Sequence, residues 1–131
     1  MTPETPIKPE FCNCLALRQA ARHVTQFYDQ FLAPTGLRTT QFSILAKLRG
    51  LGPLTINALA KELVMDRTTL GRNILPLERE GLIAIAKGTG DRRSKAVHLT
   101  EAGRAKLRQA RDGWLTAQAR FEMAFGSDRS R

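Results

Sequence analysis

Residues 82–103, LIAIAKGTGDRRSKAVHLTEAG, decide how this sequence folds. Two short apolar stretches flank a loop with two glycines, a pattern that predicts a β-hairpin. The loop, residues 88–94, carries one acidic and two basic side chains. Thr100 then has a side chain suited to a helix N-cap, and apolar residues continue at helical spacing to Phe125. The hairpin is therefore expected to lead directly into a long helix.

The residues before the hairpin have helical periodicity. Apolar residues recur at every third or fourth position over residues 10–32, which predicts a long amphipathic helix. Pro34 and Gly36 follow and end it. Residues 40–49 have the pattern of a second helix, whereas residues 1–9 contain three prolines and are expected to form a loose arm.

Two shorter helices come next. Thr55 is a suitable cap for a third helix, and Asp66 for a fourth that ends at a glycine, Gly81. Only residues 63–65 lie between them, which is the spacing of a helix-turn-helix. Together with the hairpin, this order predicts a mainly α fold with a small β-hairpin wing, namely a winged helix-turn-helix flanked by long N- and C-terminal helices.

Composition narrows the class of protein. The 131 residues carry 21 Lys and Arg against 12 Asp and Glu, a formal net charge of +9, with 42% hydrophobic residues. These values favour one folded domain and a polyanionic partner. No apolar run is long enough for a membrane span, and the N-terminus lacks a signal-peptide pattern, so a cytoplasmic protein without a membrane partner is expected.

The sequence resembles the MarR family of winged helix-turn-helix regulators over about residues 11–125. The most specific match begins with Gly-Leu-Ile at 81–83, includes Asp-Arg-Arg at 91–93, and ends with Val-His-Leu-Thr-Glu-Ala-Gly at 97–103. The corresponding family pattern is Asp-x-Arg, a short gap, a Leu or Val, and then Leu-Thr-x-x-Gly. Residues 37–48 and 56–80 also fit the family.

This resemblance implies a single domain over residues 10–131 and a homodimer. Residues 10–33 and 101–126 would form the dimerisation helices, and residues 37–100 the winged helix-turn-helix lobe. The fourth helix would enter the major groove of double-stranded DNA and the wing the adjacent minor groove. Dimer symmetry predicts a pseudo-palindromic operator. Most such regulators are repressors released by a small ligand or by oxidation.

The candidate DNA-binding residues come from three segments. Recognition helices contact bases with their N-terminal half, which here contains Arg67, Thr68, Thr69, Arg72 and Asn73. The wing adds Asp91, Arg92, Arg93 and Lys95. An arginine at a wing tip suits a narrow minor groove, and Asp91 is expected to brace Arg93 through a charge-assisted hydrogen bond. Thr40 is a candidate phosphate contact at the start of the second helix.

Two cysteines raise the question of sensing. Cys12 and Cys14 are two positions apart, a spacing at which helical side chains do not face each other. Cys14 and Tyr28 resemble the cysteine and tyrosine of the organic-hydroperoxide-sensing branch of the family. A thiol-based peroxide sensor is therefore an alternative to cysteines that simply pack in a dimer layer. The spacing of histidines and cysteines does not suit a metal site, and no cofactor is expected.

The family resemblance also implies a cleft for a small aromatic or organic effector. Its candidate lining residues, each of which could instead be plain core, are Arg18, Arg22, Phe27, Phe31, Phe42 and Trp114. No phosphate-binding loop or catalytic constellation is present in the sequence, so an enzyme is not expected. The alternative from another class is a winged-helix protein-interaction module that does not bind DNA.

Overall fold

The computed structural model describes residues 5–87 and 95–126 of the chain. Within these residues the helices are α1 (Asn13–Leu32), α2 (Thr39–Leu51), α3 (Ile56–Glu62), α4 (Arg67–Arg79) and α5 (Glu101–Phe125). The strands are β1 (Leu54–Thr55), β2 (Ile83–Lys87) and β3 (Lys95–Leu99). This order confirms the predicted winged helix-turn-helix between two long helices.

The three strands form an antiparallel sheet in the order β1-β3-β2. In the predicted hairpin, Ile83 pairs with Leu99 and Lys87 with Lys95. Strand β1 adds Leu54 opposite Val97 on the other side of β3. It was not predicted, because two residues are too few to show the alternation that marks a strand.

Side-chain caps begin three of the helices at the predicted residues. The hydroxyl of Thr55 accepts a hydrogen bond from the amide of Ala58 at 3.1 Å. The carboxylate of Asp66 accepts one from the amide of Thr69 at 2.8 Å, and Thr100 caps α5 at 3.0 Å. Each cap satisfies an amide that the first helical turn leaves without a backbone partner.

The start of α1 differs from the prediction. A 3₁₀ turn at Pro9–Phe11 comes first, and Cys12 has an extended backbone with φ −78° and ψ 114°. The helix therefore begins at Asn13, although its apolar pattern extends back to Glu10. The sulfur of Cys12 accepts a hydrogen bond from the amide of Leu15 at 3.5 Å, so a cysteine occupies the cap position.

The buried core lies mostly in the winged helix-turn-helix lobe. Its members share almost complete burial and come from α2, α3, α4 and the sheet, among them Ile44, Leu45, Leu48, Leu59, Leu70, Leu77, Ile83 and Val97. By contrast, Leu32 is the one fully buried residue among the 20 of α1. No helix in the described part of the chain is long and apolar enough to cross a membrane.

Helix α5 holds the lobe and α1 together through two close backbone contacts. The Cα of Gly103 lies against the carbonyl of Leu82, and that of Gly113 lies against the carbonyl of Phe31. A Cβ at either position would overlap those oxygens. Glycine is therefore required at both places, because no other residue allows the backbones to approach so closely.

A second link joins α1 to α2. The carboxylate of Asp29 accepts hydrogen bonds from the amide of Thr39 at 2.7 Å and from its hydroxyl at 2.6 Å. Asp29 thus satisfies an amide at the start of α2 from a different helix, which fixes the angle at which α2 leaves α1.

We expect Gly103→Ala to destabilise the protein by about 1–3 kcal/mol, because the new methyl group overlaps the Leu82 carbonyl and the Leu99 side chain. Urea unfolding at fixed protein concentration, followed by the fluorescence of the single tryptophan, measures the change. The matched control is Gly50→Ala in α2, where nothing lies within 4 Å of the added group. That variant should be as stable as the wild type or slightly more so. Equal stability of Gly103→Ala and the wild type would contradict the packing described for α5.

Candidate nucleic-acid interface and adjacent cavity

Helix α4 presents one polar face to solvent. Arg67, Thr68, Thr69 and Arg72 are exposed and Asn73 is half-buried. The opposite side of the helix buries the apolar stripe Leu70, Ile74 and Leu77 in the core. Because that stripe orients the helix, the predicted contact residues in its N-terminal half lie together on the outer surface.

The two arginines of this face are not neutralised by the rest of the described chain. The ion pairs among described residues join Lys47 to Glu62 and Arg108 to Glu101, neither of which involves Arg67 or Arg72. An exposed guanidinium without a carboxylate partner retains its five donors for an external anion. The face is therefore chemically suited to phosphate oxygens and to the acceptor edge of guanine.

Two predicted contact residues make hydrogen bonds within α4. The hydroxyl of Thr69 donates to the Asp66 carboxylate at 2.9 Å, and the amide of Asn73 donates to the carbonyl of Thr69 at 2.9 Å. The hydrogen bonds from Thr69 hold the pKa of Asp66 below the usual range of an aspartate, so the cap remains ionised at neutral pH. Thr69 and Asn73 thus stabilise the first turns of the helix that presents Arg67 and Arg72.

The turn between α3 and α4 depends on a residue that sequence reasoning missed. Val64 has a left-handed backbone with φ 52° and is 94% exposed. This conformation is uncommon for a β-branched side chain and costs energy. Its neighbours Leu63 and Met65 pack against the core, and their burial holds Val64 in this position. No local sequence signal identifies such a residue, because glycine or asparagine is the usual choice.

The remaining predicted contacts lie on other elements. Thr40 is half-buried in the first turn of α2, and Lys95 is exposed at the start of β3. Asp91, Arg92 and Arg93 of the predicted wing lie outside the described residues.

A cavity of about 470 Å³ opens between α1, α2 and α5. Its walls are mostly apolar and are formed by Val24, Thr25, Tyr28, Thr39, Phe42, Ser43, Ala46, Lys47, Trp114 and Phe121. Phe42 and Trp114 stack with ring centroids 5.9 Å apart and an interplanar angle of 21°. These two residues were predicted to line a ligand cleft.

The other predicted cleft residues lie elsewhere. Phe27 and Phe31 pack edge to face with centroids 5.1 Å apart, and neither is among the residues that line the cavity. Arg18 and Arg22 are exposed on α1 and do not line it either. Alternating apolar positions cannot show which aromatic side faces a cavity, because the answer depends on how α5 crosses α1.

Sequence reasoning missed most of the polar lining of this cavity. Hydroxyls of Thr25, Thr39 and Ser43 belong to its wall, as does Lys47. Tyr28, predicted as a redox partner, lines the cavity and donates a hydrogen bond to the side-chain oxygen of Gln118. Burial, and then the negative charge of Glu122, raise the pKa of Tyr28, so its hydroxyl stays protonated at neutral pH.

Both cysteines are free and exposed. Cys14 and Tyr28 lie 14 residues apart on the same helix, a separation of about 21 Å along its axis. A tyrosine that contacts Cys14 would therefore have to come from another subunit. Among the residues described, no group of three or more His, Cys, Asp or Glu side chains is placed to hold a metal ion.

Comparison with known proteins places this geometry in a family. The model of the MarR family matches residues 37–95. An HTH-type transcriptional regulator of Bacillus cereus is 32% identical over 114 residues, which span 87% of this chain and 73% of the relative.

Solved structures agree with this assignment. The transcriptional regulator MosR of M. tuberculosis, in complex with DNA, is 40% identical and has a TM-score of 0.80, with 88% of this chain and 84% of MosR covered. The transcriptional repressor CouR bound to a 23-mer DNA duplex is 27% identical, has the same TM-score of 0.80, and is covered over 90% of its length by 95% of this chain. Fold, exposed recognition helix and sequence similarity agree, and the chain belongs to the MarR family of winged helix-turn-helix DNA-binding transcriptional regulators.

Proposed function

We propose that this regulator acts as a homodimeric repressor that binds a pseudo-palindromic operator and releases it when a small organic ligand fills the cavity between α1, α2 and α5. The observation that carries the proposal is the solvent-facing half of α4, where Arg67 and Arg72 have no carboxylate partner among the described residues. The DNA complexes of MosR and CouR support it.

In this proposal the face of α4 lies in the major groove. Arg67, Thr68 and Arg72 would reach base edges and phosphates, while Thr69 and Asn73 keep the first turns of the helix in shape or exchange their internal bonds for bases. Lys95 at the base of the wing, Thr40 on α2, and the wing residues Asp91, Arg92 and Arg93 would complete the contact with the adjacent minor groove and backbone.

We expect Arg72→Ala to weaken operator binding at least about tenfold, since a lost arginine contact costs about 1–3 kcal/mol in each half-site. Arg93→Ala should weaken it similarly if the wing enters the minor groove. Fluorescence anisotropy across a salt series gives both the affinity and the number of phosphates neutralised. The control is Arg79→Ala, which removes the same charge from the last turn of α4 and should change affinity little. Equal affinities of wild type and Arg72→Ala, or a salt dependence near zero for the wild type, would refute DNA binding through this face.

The proposed dimer layer rests on apolar surface that the chain leaves uncovered. Leu17 of α1 is 71% exposed, and Phe11, Leu115, Met123 and Phe125 on the same two terminal segments are also exposed. Since α1 has one fully buried residue, most of its apolar face has no partner within the described chain. Burying such a face against a second copy removes apolar surface from water, which favours association.

Leu17→Glu is expected to shift the protein from dimer to monomer, because it places a charge in the middle of the proposed interface. Light scattering coupled to size-exclusion chromatography measures the mass directly. Leu51→Glu is the matched control, since Leu51 at the end of α2 is 53% exposed and lies away from α1 and α5. A dimeric Leu17→Glu protein, or a monomeric wild type, would contradict the proposed interface.

The cavity supports release by a ligand. A volume of about 470 Å³ lies within the range of sites that bind small molecules. Apolar walls with a few hydroxyl groups and one ammonium are typical of sites that orient a small organic molecule. The cavity contacts α1 and α5 on one side and α2 of the DNA-binding lobe on the other, so a ligand there would touch both layers.

A thiol switch is the second candidate, and the exposure of both cysteines favours it. In such a switch the Cys14 thiolate would attack an organic hydroperoxide, becoming a sulfenate while the peroxide is reduced to an alcohol. The tyrosine that stabilises the product would belong to the other subunit, given the separation of Cys14 and Tyr28 along α1.

If Cys14 is the sensor, cumene hydroperoxide should release the reduced wild-type protein from DNA and dithiothreitol should restore binding. Cys14→Ser would then keep its DNA affinity under the same treatment, while Cys12→Ser would still respond. Anisotropy before and after oxidant measures all three proteins. A wild-type affinity that is indifferent to the hydroperoxide would exclude the switch and leave the cavity as the site of regulation.

A further inference from the structure

Lys47 connects the cavity to the helix-turn-helix. Among the residues that line the cavity it alone carries a charge. Its ammonium lies 3.4 Å from a carboxylate oxygen of Glu62, the last residue of α3. The turn at residues 63–65 and the cap Asp66 are all that separate Glu62 from the recognition helix. One side chain therefore belongs both to the cavity wall and to the end of α3.

The ion pair is of a kind that exchanges partners readily. The Lys47 and Glu62 side chains are 43% and 44% exposed, and half-exposed pairs of this type stabilise a fold only slightly. A carboxylate inside the cavity would meet the same ammonium beside the stacked rings of Phe42 and Trp114. Since these rings exclude water, the attraction between the charges would be stronger there than at the surface.

We propose that the effector is a small aromatic carboxylate and that Lys47 transmits its binding by exchanging Glu62 for the carboxylate of the ligand. This inference rests on the proposed function, because it assumes that the cavity is the effector site. The aromatic part lies against Phe42 and Trp114, and hydroxyls such as Ser43 complete the hydrogen bonding. Glu62 is left as an unpaired carboxylate at the end of α3.

The exchange explains how occupancy weakens DNA binding. The bound anion and the released Glu62 add negative charge to the lobe that must approach phosphates, which opposes association with DNA. Loss of the pair also removes a link between α2 and the end of α3. By linkage, a protein held on DNA with the pair intact should bind the carboxylate more weakly, to the same extent that the carboxylate weakens DNA binding.

Isothermal titration calorimetry with 2-naphthoate and its neutral analogue 2-naphthamide tests the role of Lys47. We expect the wild type to prefer the carboxylate by about tenfold, the size of one charge-assisted hydrogen bond. Lys47→Met should lose this preference while still binding the amide. Glu62→Gln should bind the carboxylate more tightly than the wild type, because the competing carboxylate is gone. The matched control Arg49→Gln removes a charge from an exposed position of the same helix and should behave as wild type.

Anisotropy with operator DNA then tests the coupling. Saturating 2-naphthoate should weaken DNA binding by the wild type and by Arg49→Gln, and should have little effect on Lys47→Met or Glu62→Gln. An unchanged carboxylate preference in Lys47→Met, or full release of DNA from Glu62→Gln, would overturn the exchange and leave the effector cavity standing. Failure of the wild type to bind either compound would instead remove the cavity as an effector site, and this inference with it.

Discussion

The arrangement of this molecule depends on how closely α5 approaches the rest of the chain. Gly103 rests on the carbonyl of Leu82 at the start of the hairpin, and Gly113 rests on the carbonyl of Phe31 at the end of α1. One helix thus fixes the position of the sheet at its first turns and of the N-terminal helix near its middle. Side chains at these positions would push the layers apart, which would open the cavity between α1, α2 and α5 and shift the recognition helix relative to the terminal helices.

The interface and the cavity both follow from that packing. Burial of Leu70, Ile74 and Leu77 turns the cationic face of α4 outward, and the cap at Asp66 stabilises its first turn. On the other side of the lobe, the ring of Trp114 on α5 meets that of Phe42 on α2, and this contact gives the cavity its aromatic wall. Recognition and regulation are therefore separate surfaces of one small lobe, joined through α2 and the Lys47–Glu62 pair.

Much of the fold could be predicted because its signals are local. Thr55, Asp66 and Thr100 are N-caps at the predicted positions, and the hairpin has the expected pairing. The remainder depends on contacts between distant residues. The capping of α2 by Asp29, the left-handed backbone of Val64 and the two-residue strand β1 have no signature within a short window. The same reason explains the candidate site: the outer face of α4 follows from helical periodicity, whereas the cavity shares only Phe42 and Trp114 with the predicted lining, since its shape is set by the crossing of three helices.

The central claim is that two copies of this chain place two α4 helices in successive major grooves of one DNA face. Hydroxyl-radical footprinting of the wild-type protein on DNA upstream of its own gene tests this most directly. The account predicts two related protected half-sites whose centres lie about one helical turn, 10–10.5 base pairs, apart. Protection of a single half-site, or uniform weak protection without a preferred sequence, would contradict it.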